Sequence, residues 1–191
     1  MNRRRFLSLL AAAASSGIAT TPSASAAPAQ RKVYIVPNFH PASCGWLTTF
    51  SRERVYCANS YLTHLDRVGQ DPHYAFVMSE INNIVAIMNF RPERIPELKQ
   101  RIRERRVELV NAMFLEPTIN LSGGEALVRM GVLGLRWYRQ VFDLEPRHAW
   151  TIDVCGTHEQ MAQIVSGLGL DAMIRRRAPR NELARLATLA G

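Results

Sequence analysis

The sequence predicts an α/β fold in which parallel strands form one sheet and helices pack outside it. Short apolar runs alternate along the chain with amphipathic stretches, the pattern of βα units. The clearest run, Trp150-Thr151-Ile152-Asp153-Val154-Cys155-Gly156-Thr157-His158, reads as a buried strand that ends in a carboxylate and enters a glycine turn. In a parallel α/β fold the carboxyl ends of strands carry the chemistry, so Asp153 is the first residue to consider.

The elements follow in order. Lys32 to Pro37 is a short strand stopped by proline. Residues 52–68 are helical, with Val55, Tyr61, Leu62, Leu65 and Val68 near one face. Tyr74 to Met78 is the second strand. Helices follow over 81–89 and 95–105, separated by Arg91-Pro92, and the second is charged enough to be a solvated outer face. Val107 to Asn111 is the third strand. Ser122-Gly123-Gly124-Glu125 fits a capping box, which explains Glu125, before a helix over 126–141. That helix draws its buried face from Leu127, Met130, Leu133, Leu135 and Trp137, with Phe142 just beyond. The fourth strand covers 150–153, a helix covers 159–168, and Asp171 to Ile174 opens a fifth strand.

The two ends read differently from this body. Arg3-Arg4-Arg5-Phe6-Leu7, a mild apolar core and Ala24-Ser25-Ala26 form a twin-arginine signal over residues 1–26, which predicts export to a periplasm or to the extracellular space. No other apolar run approaches the ~20 residues of a membrane helix, and no cysteine follows the cleavage site, so no stable membrane anchor is expected. Of the net charge of +8, Arg3 to Arg5 supply +3 and residues 175–191 (five arginines against Glu182) +4. The remaining +1 on residues 27–174 gives no nucleic-acid surface. After Ile174 the basic, Ala- and Leu-rich segment 175–191 breaks the βα pattern and reads as a truncation or frameshift product. A complete five-strand open sheet with a helical C-terminus is the alternative.

Cys44, Cys57 and Cys155 allow at most one disulfide, and Cys44 with Cys57 is a candidate pair. Asp153 suits a nucleophile, a general base or a metal ligand, and equally a turn or helix cap. Glu116 and Asn120 follow the third strand and so lie on the same side as Asp153 if the sheet is parallel. Glu80 follows the second strand, where it can meet substrate or favour the next helix dipole. Trp46 offers an aromatic face for stacking on a ligand or fills core. His40, Cys44 and Asp153 together offer the nitrogen, sulfur and oxygen donors that zinc accepts, although a strand-end histidine is more often structural.

At two segments, Glu116-Pro117-Thr118-Ile119-Asn120-Leu121-Ser122-Gly123-Gly124-Glu125 and Trp150 to Gly156, the chain resembles glycoside hydrolase family 38, the retaining α-mannosidases. Their motifs are of the kind W-V-E-P-D-x-N-L-x-x-G-E and W-x-x-D-x-F-G. The resemblance covers 32–174 and implies an incomplete (β/α)7-type barrel with outer helices, a mannose-containing glycan as partner, and zinc as cofactor. It implies that Asp153 is the nucleophile and a zinc ligand, and that Glu116 and Asn120 line the substrate subsite, with Glu80 at a further acidic position. Thr118 stands where the family usually has Asp.

The departure lies after the first strand. The family's H-x-H-x-D-x-x-W is replaced by Asn38-Phe39-His40-Pro41-Ala42-Ser43-Cys44-Gly45-Trp46. With Trp46 as anchor the zinc ligands fall on Pro41 and Ser43; with His40 as anchor the Asp falls on Ala42. The family's general acid/base and second zinc histidine would lie beyond this chain. The expectation is an exported α-mannosidase-like domain that hydrolyses α-mannosidic bonds in a full-length form. The alternative is a non-catalytic carbohydrate-binding remnant without the zinc site. A polysaccharide deacetylase would need a D-D…H-x-x-x-H arrangement, which the sequence lacks.

Overall fold

The computed structural model describes residues 33, 35–40, 45, 47–154, 156 and 158–175. The expected signal segment, Trp46, Cys44, Cys155 and residues 176–191 lie outside these. Among the described residues, five strands, β1 (Asn38–Phe39), β2 (Phe76–Ser79), β3 (Val107–Val110), β4 (His148–Thr151) and β5 (Ala172–Arg175), are joined by helices. These are α1 (Phe50–Gln70), α2 (Ile81–Phe90), α3 (Ile95–Arg103), α4 (Gly124–Phe142) and α5 (Met161–Gly167). β1, β2 and β3 form one parallel ladder and β4 and β5 a second. The Asn111 N–H at the end of β3 donates to His148 O at the start of β4, 2.9 Å away. The fold is thus α/β with parallel strands and outer helices.

Two-faced strands organise the packing. Phe76 and Met78 of β2, with Val107 and Leu109 of β3, face a core completed by Tyr61, Leu62 and Leu65 of α1, Ile84 and Ile87 of α2, and Leu98 of α3. Val77, one residue out of phase, joins Val110 and Trp150 on the opposite face. A second core lies beneath α4 and α5, from Ala112, Ile119, Leu127, Leu135, Ala149, Met161 and Val165. Burial of each large aliphatic side chain contributes roughly 2 kcal/mol.

α1 forms because Cys57, Ala58, Tyr61, Leu62, Leu65 and Val68 recur on one stripe. α2 is apolar on most sides and stops at Arg91, where Pro92 disfavours further helix and starts a 3-10 turn, Pro92–Arg94. Gly134 on α4 lets that helix approach the chain after β3: a Cβ there would lie 1.5 Å from Ala112 O.

Three elements differ from the sequence reading. β1 is confined to Asn38–Phe39, beyond the proline, because Pro37 offers no N–H while its carbonyl accepts the Val77 N–H. β4 begins and ends two residues early, at His148 and Thr151, which leaves Asp153 outside the strand. Ser122 does not cap α4: the N-cap is Gly123 with no side-chain cap bond, and exposed Glu125 pairs with Arg129 at 2.6 Å. Among the candidate buried residues of α4, Leu127 and Leu135 are buried, whereas Leu133 is exposed.

Candidate active site

The β1–β2–β3 ladder is parallel, so the carboxyl ends of these strands open on one side, and the bonds from Ile152 and Asp153 N–H to Glu116 bring the chain leaving β4 to the loop after β3. His40 follows β1, Glu80 follows β2, Glu116 and Asn120 sit in the loop after β3, and Asp153 leaves β4. Two buried tyrosines fix the strand ends from the helix side. Tyr61 of α1 donates to Ser79 O at 2.6 Å and accepts from Ser79 N–H at 3.2 Å. Tyr138 of α4 reaches Val110 O and Asn111 O at 3.3 Å each. Glu80 and Asn111, the residues immediately after β2 and β3, both take positive φ, 69° and 68°. For a glutamate this is an uncommon conformation that costs on the order of 1 kcal/mol.

Glu116 is the connector of the site. Its Oε1 accepts the Ile152 N–H at 2.7 Å and its Oε2 accepts the Asp153 N–H at 3.0 Å. One carboxylate from the β3 loop therefore holds the backbone from which Asp153 projects, and the residue Asp153 is itself exposed. Glu80, 3% exposed, accepts from Asn83 Nδ2 at 2.8 Å through Oε2 and from Glu116 N–H at 3.4 Å through Oε1. Burial, and secondly the Glu116 carboxylate, push its pKa up from 4.5 to about 7.

His40 Nδ1 completes the group, 3.5 Å from Glu116 Oε1 and 3.7 Å from Glu80 Oε1. Ligand atoms of His40, Glu80 and Glu116 all lie within 4.8 Å of one another. Of the expected metal set of His40, Cys44 and Asp153, Cys44 lies outside the described residues; among these residues His40 is grouped with Glu80 and Glu116 rather than with Asp153. One imidazole and two carboxylates are ligands that zinc accepts, so these residues fit the cofactor implied by the resemblance.

Asn120 packs against the turn after Asp153. Gly156 has φ +95°, and a Cβ there would lie 2.2 Å from Asn120 Oδ1. The loop after β1 is tied by Glu53, buried in the first turn of α1, which accepts the N–H groups of Gly45, of Leu47 at 2.5 Å and of Thr48 at 3.0 Å. Sequence reading passed over Glu53. Its only local signal is an acid in the first helical turn, where the dipole favours negative charge.

With this geometry in view, the comparisons decide the family. Residues 30–188 match the Glycosyl hydrolases family 38 N-terminal domain. The chain belongs to glycoside hydrolase family 38. It is similar to alpha-mannosidase G of Dictyostelium discoideum, with 25% identity over 158 residues, 81% of this chain and 14% of the relative. Human alpha-mannosidase 2C1 is 29% identical over 129 residues, 65% of this chain and 12% of the relative. The family 38 domain thus spans about one-seventh of the relatives it matches. An alpha-mannosidase structure from Enterococcus faecalis V583 superposes with a TM-score of 0.66 at 16% identity, over 73% of this chain and 16% of that one, a likeness of fold.

Proposed function

We propose that this family 38 domain is the N-terminal part of the catalytic barrel of an exported, retaining α-mannosidase, with Asp153 as nucleophile. The observation that carries the reading is the clamp from Glu116 onto Ile152 and Asp153. It fixes the backbone of a carboxylate that stands exposed at the open side of the strands. A nucleophile must be held in line with the anomeric carbon, and misplacement by about 1 Å can cost ~100-fold in rate. Attack by the Asp153 carboxylate on the anomeric carbon forms the C–O bond of a glycosyl-enzyme as the bond to the leaving oxygen breaks; water then hydrolyses the intermediate.

Asn120, which packs against Gly156, and Trp46 are assigned to the substrate side of the site. The glycan is mannose-containing, as the names of the relatives suggest. Zinc, when bound, supplies Lewis-acid stabilisation of charge on oxygen. Residues 1–26 direct twin-arginine export, and 27–174 form the catalytic segment. Among the described residues no helix is long and apolar enough to cross a membrane.

The test uses an aryl α-mannoside whose dinitrophenolate leaves without a general acid. Wild-type chain should release dinitrophenolate and Asp153→Ala should not. Added azide should restore release from Asp153→Ala by attacking the anomeric carbon and forming β-mannosyl azide. Release by Asp153→Ala at the wild-type rate without azide would remove Asp153 from the mechanism. A second reading, sugar binding without turnover, is favoured by the loss of the family's His-x-Asp pair after β1. It predicts glycan binding that Asp153→Asn leaves unchanged and no release from any aryl mannoside.

A further inference from the structure

We infer that His40, Glu80 and Glu116 form a three-ligand site for a divalent cation of the zinc class, on a donor set that the family's own first-strand motif would not build. The inference stands on family membership and geometry and is independent of the role given to Asp153. Its first support is distance. His40 Nδ1 lies 3.5 and 3.7 Å from the two carboxylate oxygens, too far for a good hydrogen bond. A tetrahedral ion with bonds of about 2.1 Å has donor–donor edges of roughly 3.4 Å. The two edges from His40, 3.5 and 3.7 Å, are the size such an ion requires, and the ligand atoms of the three residues all lie within 4.8 Å of one another.

The second support is an orphaned atom. His40 Nδ1 is buried from solvent and makes no hydrogen bond, although the side chain as a whole is 20% exposed. A buried imidazole nitrogen without a partner costs about 1–3 kcal/mol, and a metal bond removes that cost. The third support is charge. Glu80 and Glu116 are 3% and 4% exposed, and His40 is the only basic side chain paired with either among the described residues. A divalent cation would neutralise both carboxylates at once.

The hydrogen bonds around the group leave room for ligation. Asn83 and the Glu116 N–H use one lone pair on each Glu80 oxygen, and the Ile152 and Asp153 N–H groups do the same on Glu116. A carboxylate has about four acceptor positions, so each oxygen keeps one for a metal. These bonds orient the ligands as outer-shell partners do. Imidazole with two carboxylates favours zinc over magnesium and calcium, which prefer oxygen alone. The three ligands come from the ends of β1 and β2 and from the β3 loop.

The experiment is calorimetric titration of ZnCl2 into the full chain, stripped with EDTA and desalted, alongside metal analysis and thermal melting. One zinc per chain should bind and raise the melting temperature, and millimolar Mg2+ should not compete. Glu80→Gln and His40→Gln should each weaken zinc at least tenfold, whereas Asp153→Asn should stay within twofold of wild type. Cobalt in place of zinc should give a tetrahedral d–d spectrum without a thiolate charge-transfer band. No saturable zinc binding by wild type, or wild-type affinity in both His40→Gln and Glu80→Gln, would overturn the site. So would loss of binding in Asp153→Asn or a thiolate band, each of which would place the metal on the Asp153 or Cys44 set instead. Failure of the Asp153 turnover test with zinc binding intact would refute the mechanism and leave this site standing.

Discussion

Replacing Glu80 by Gln should make the stability of this domain less sensitive to pH, because Glu80 is an acid folded into a place that disfavours its charge. Its pKa rises from 4.5 to about 7, first through burial and then through Glu116. Between those values the native state keeps a proton that the unfolded chain has lost. Stability therefore falls as pH rises through this window, and the contribution is gone above pH 7. The displacement corresponds to ~3 kcal/mol, a large share of the 5–15 kcal/mol that typically holds a domain together.

Gln has the shape of the protonated acid and does not titrate, so Glu80→Gln should be free of this loss. Groups away from Glu80 behave alike in both proteins, among them His64, whose pKa burial lowers. They cancel in the difference. Urea unfolding in EDTA at half-unit steps from pH 4.5 to 8 should show Glu80→Gln gaining ~3 kcal/mol on wild type across the range. Curves that run parallel, with a difference independent of pH, would refute the reasoning. A gain for wild type as pH rises would reverse its sign.

Three further substitutions test the scaffold. Glu116→Ala removes the acceptor of the Ile152 and Asp153 N–H groups and should cost about 2 kcal/mol in urea unfolding. In the same variant the carboxyl carbon of Glu80 should titrate lower by NMR, because its charged neighbour is gone. Gly134→Ala puts a Cβ against the Ala112 carbonyl, which backbone cannot yield cheaply, and should cost more than ~2 kcal/mol by the same measurement. Gly156→Ala meets both a positive φ and the Asn120 side chain; a loss of about 1–3 kcal/mol, seen as a lower melting temperature, is expected.

The strand–helix order was legible because apolar runs and helical stripes are local signals. Val77 and Val110 needed only the apolar runs they sit in to be placed as strand residues, and α1 only its stripe of Tyr61, Leu62, Leu65 and Val68. The family was legible because Glu116, Asn120, Asp153 and Gly156 stand at motif spacing, and the match over 30–188 agrees. What the sequence did not disclose depends on contacts between loops. Nothing local says that both oxygens of Glu116 will be spent on the backbone of Ile152 and Asp153, 36 and 37 residues away. The meeting of His40 with two glutamates from other strand ends is equally non-local. The capping box failed for the opposite reason: Ser122 and Glu125 satisfied a short pattern, but the helix starts at Gly124, and Glu125 sits in solvent beside Arg129.

The most direct measurement of the central claim is covalent trapping. The full chain is incubated with a fluorinated α-mannosyl fluoride, whose ring fluorine slows hydrolysis of the intermediate, and its peptides are weighed. Asp153 as nucleophile predicts one fluoromannosyl adduct, on the peptide containing Asp153, and none on Asp153→Asn. An adduct on another carboxylate, or an equal adduct on Asp153→Asn, would contradict it.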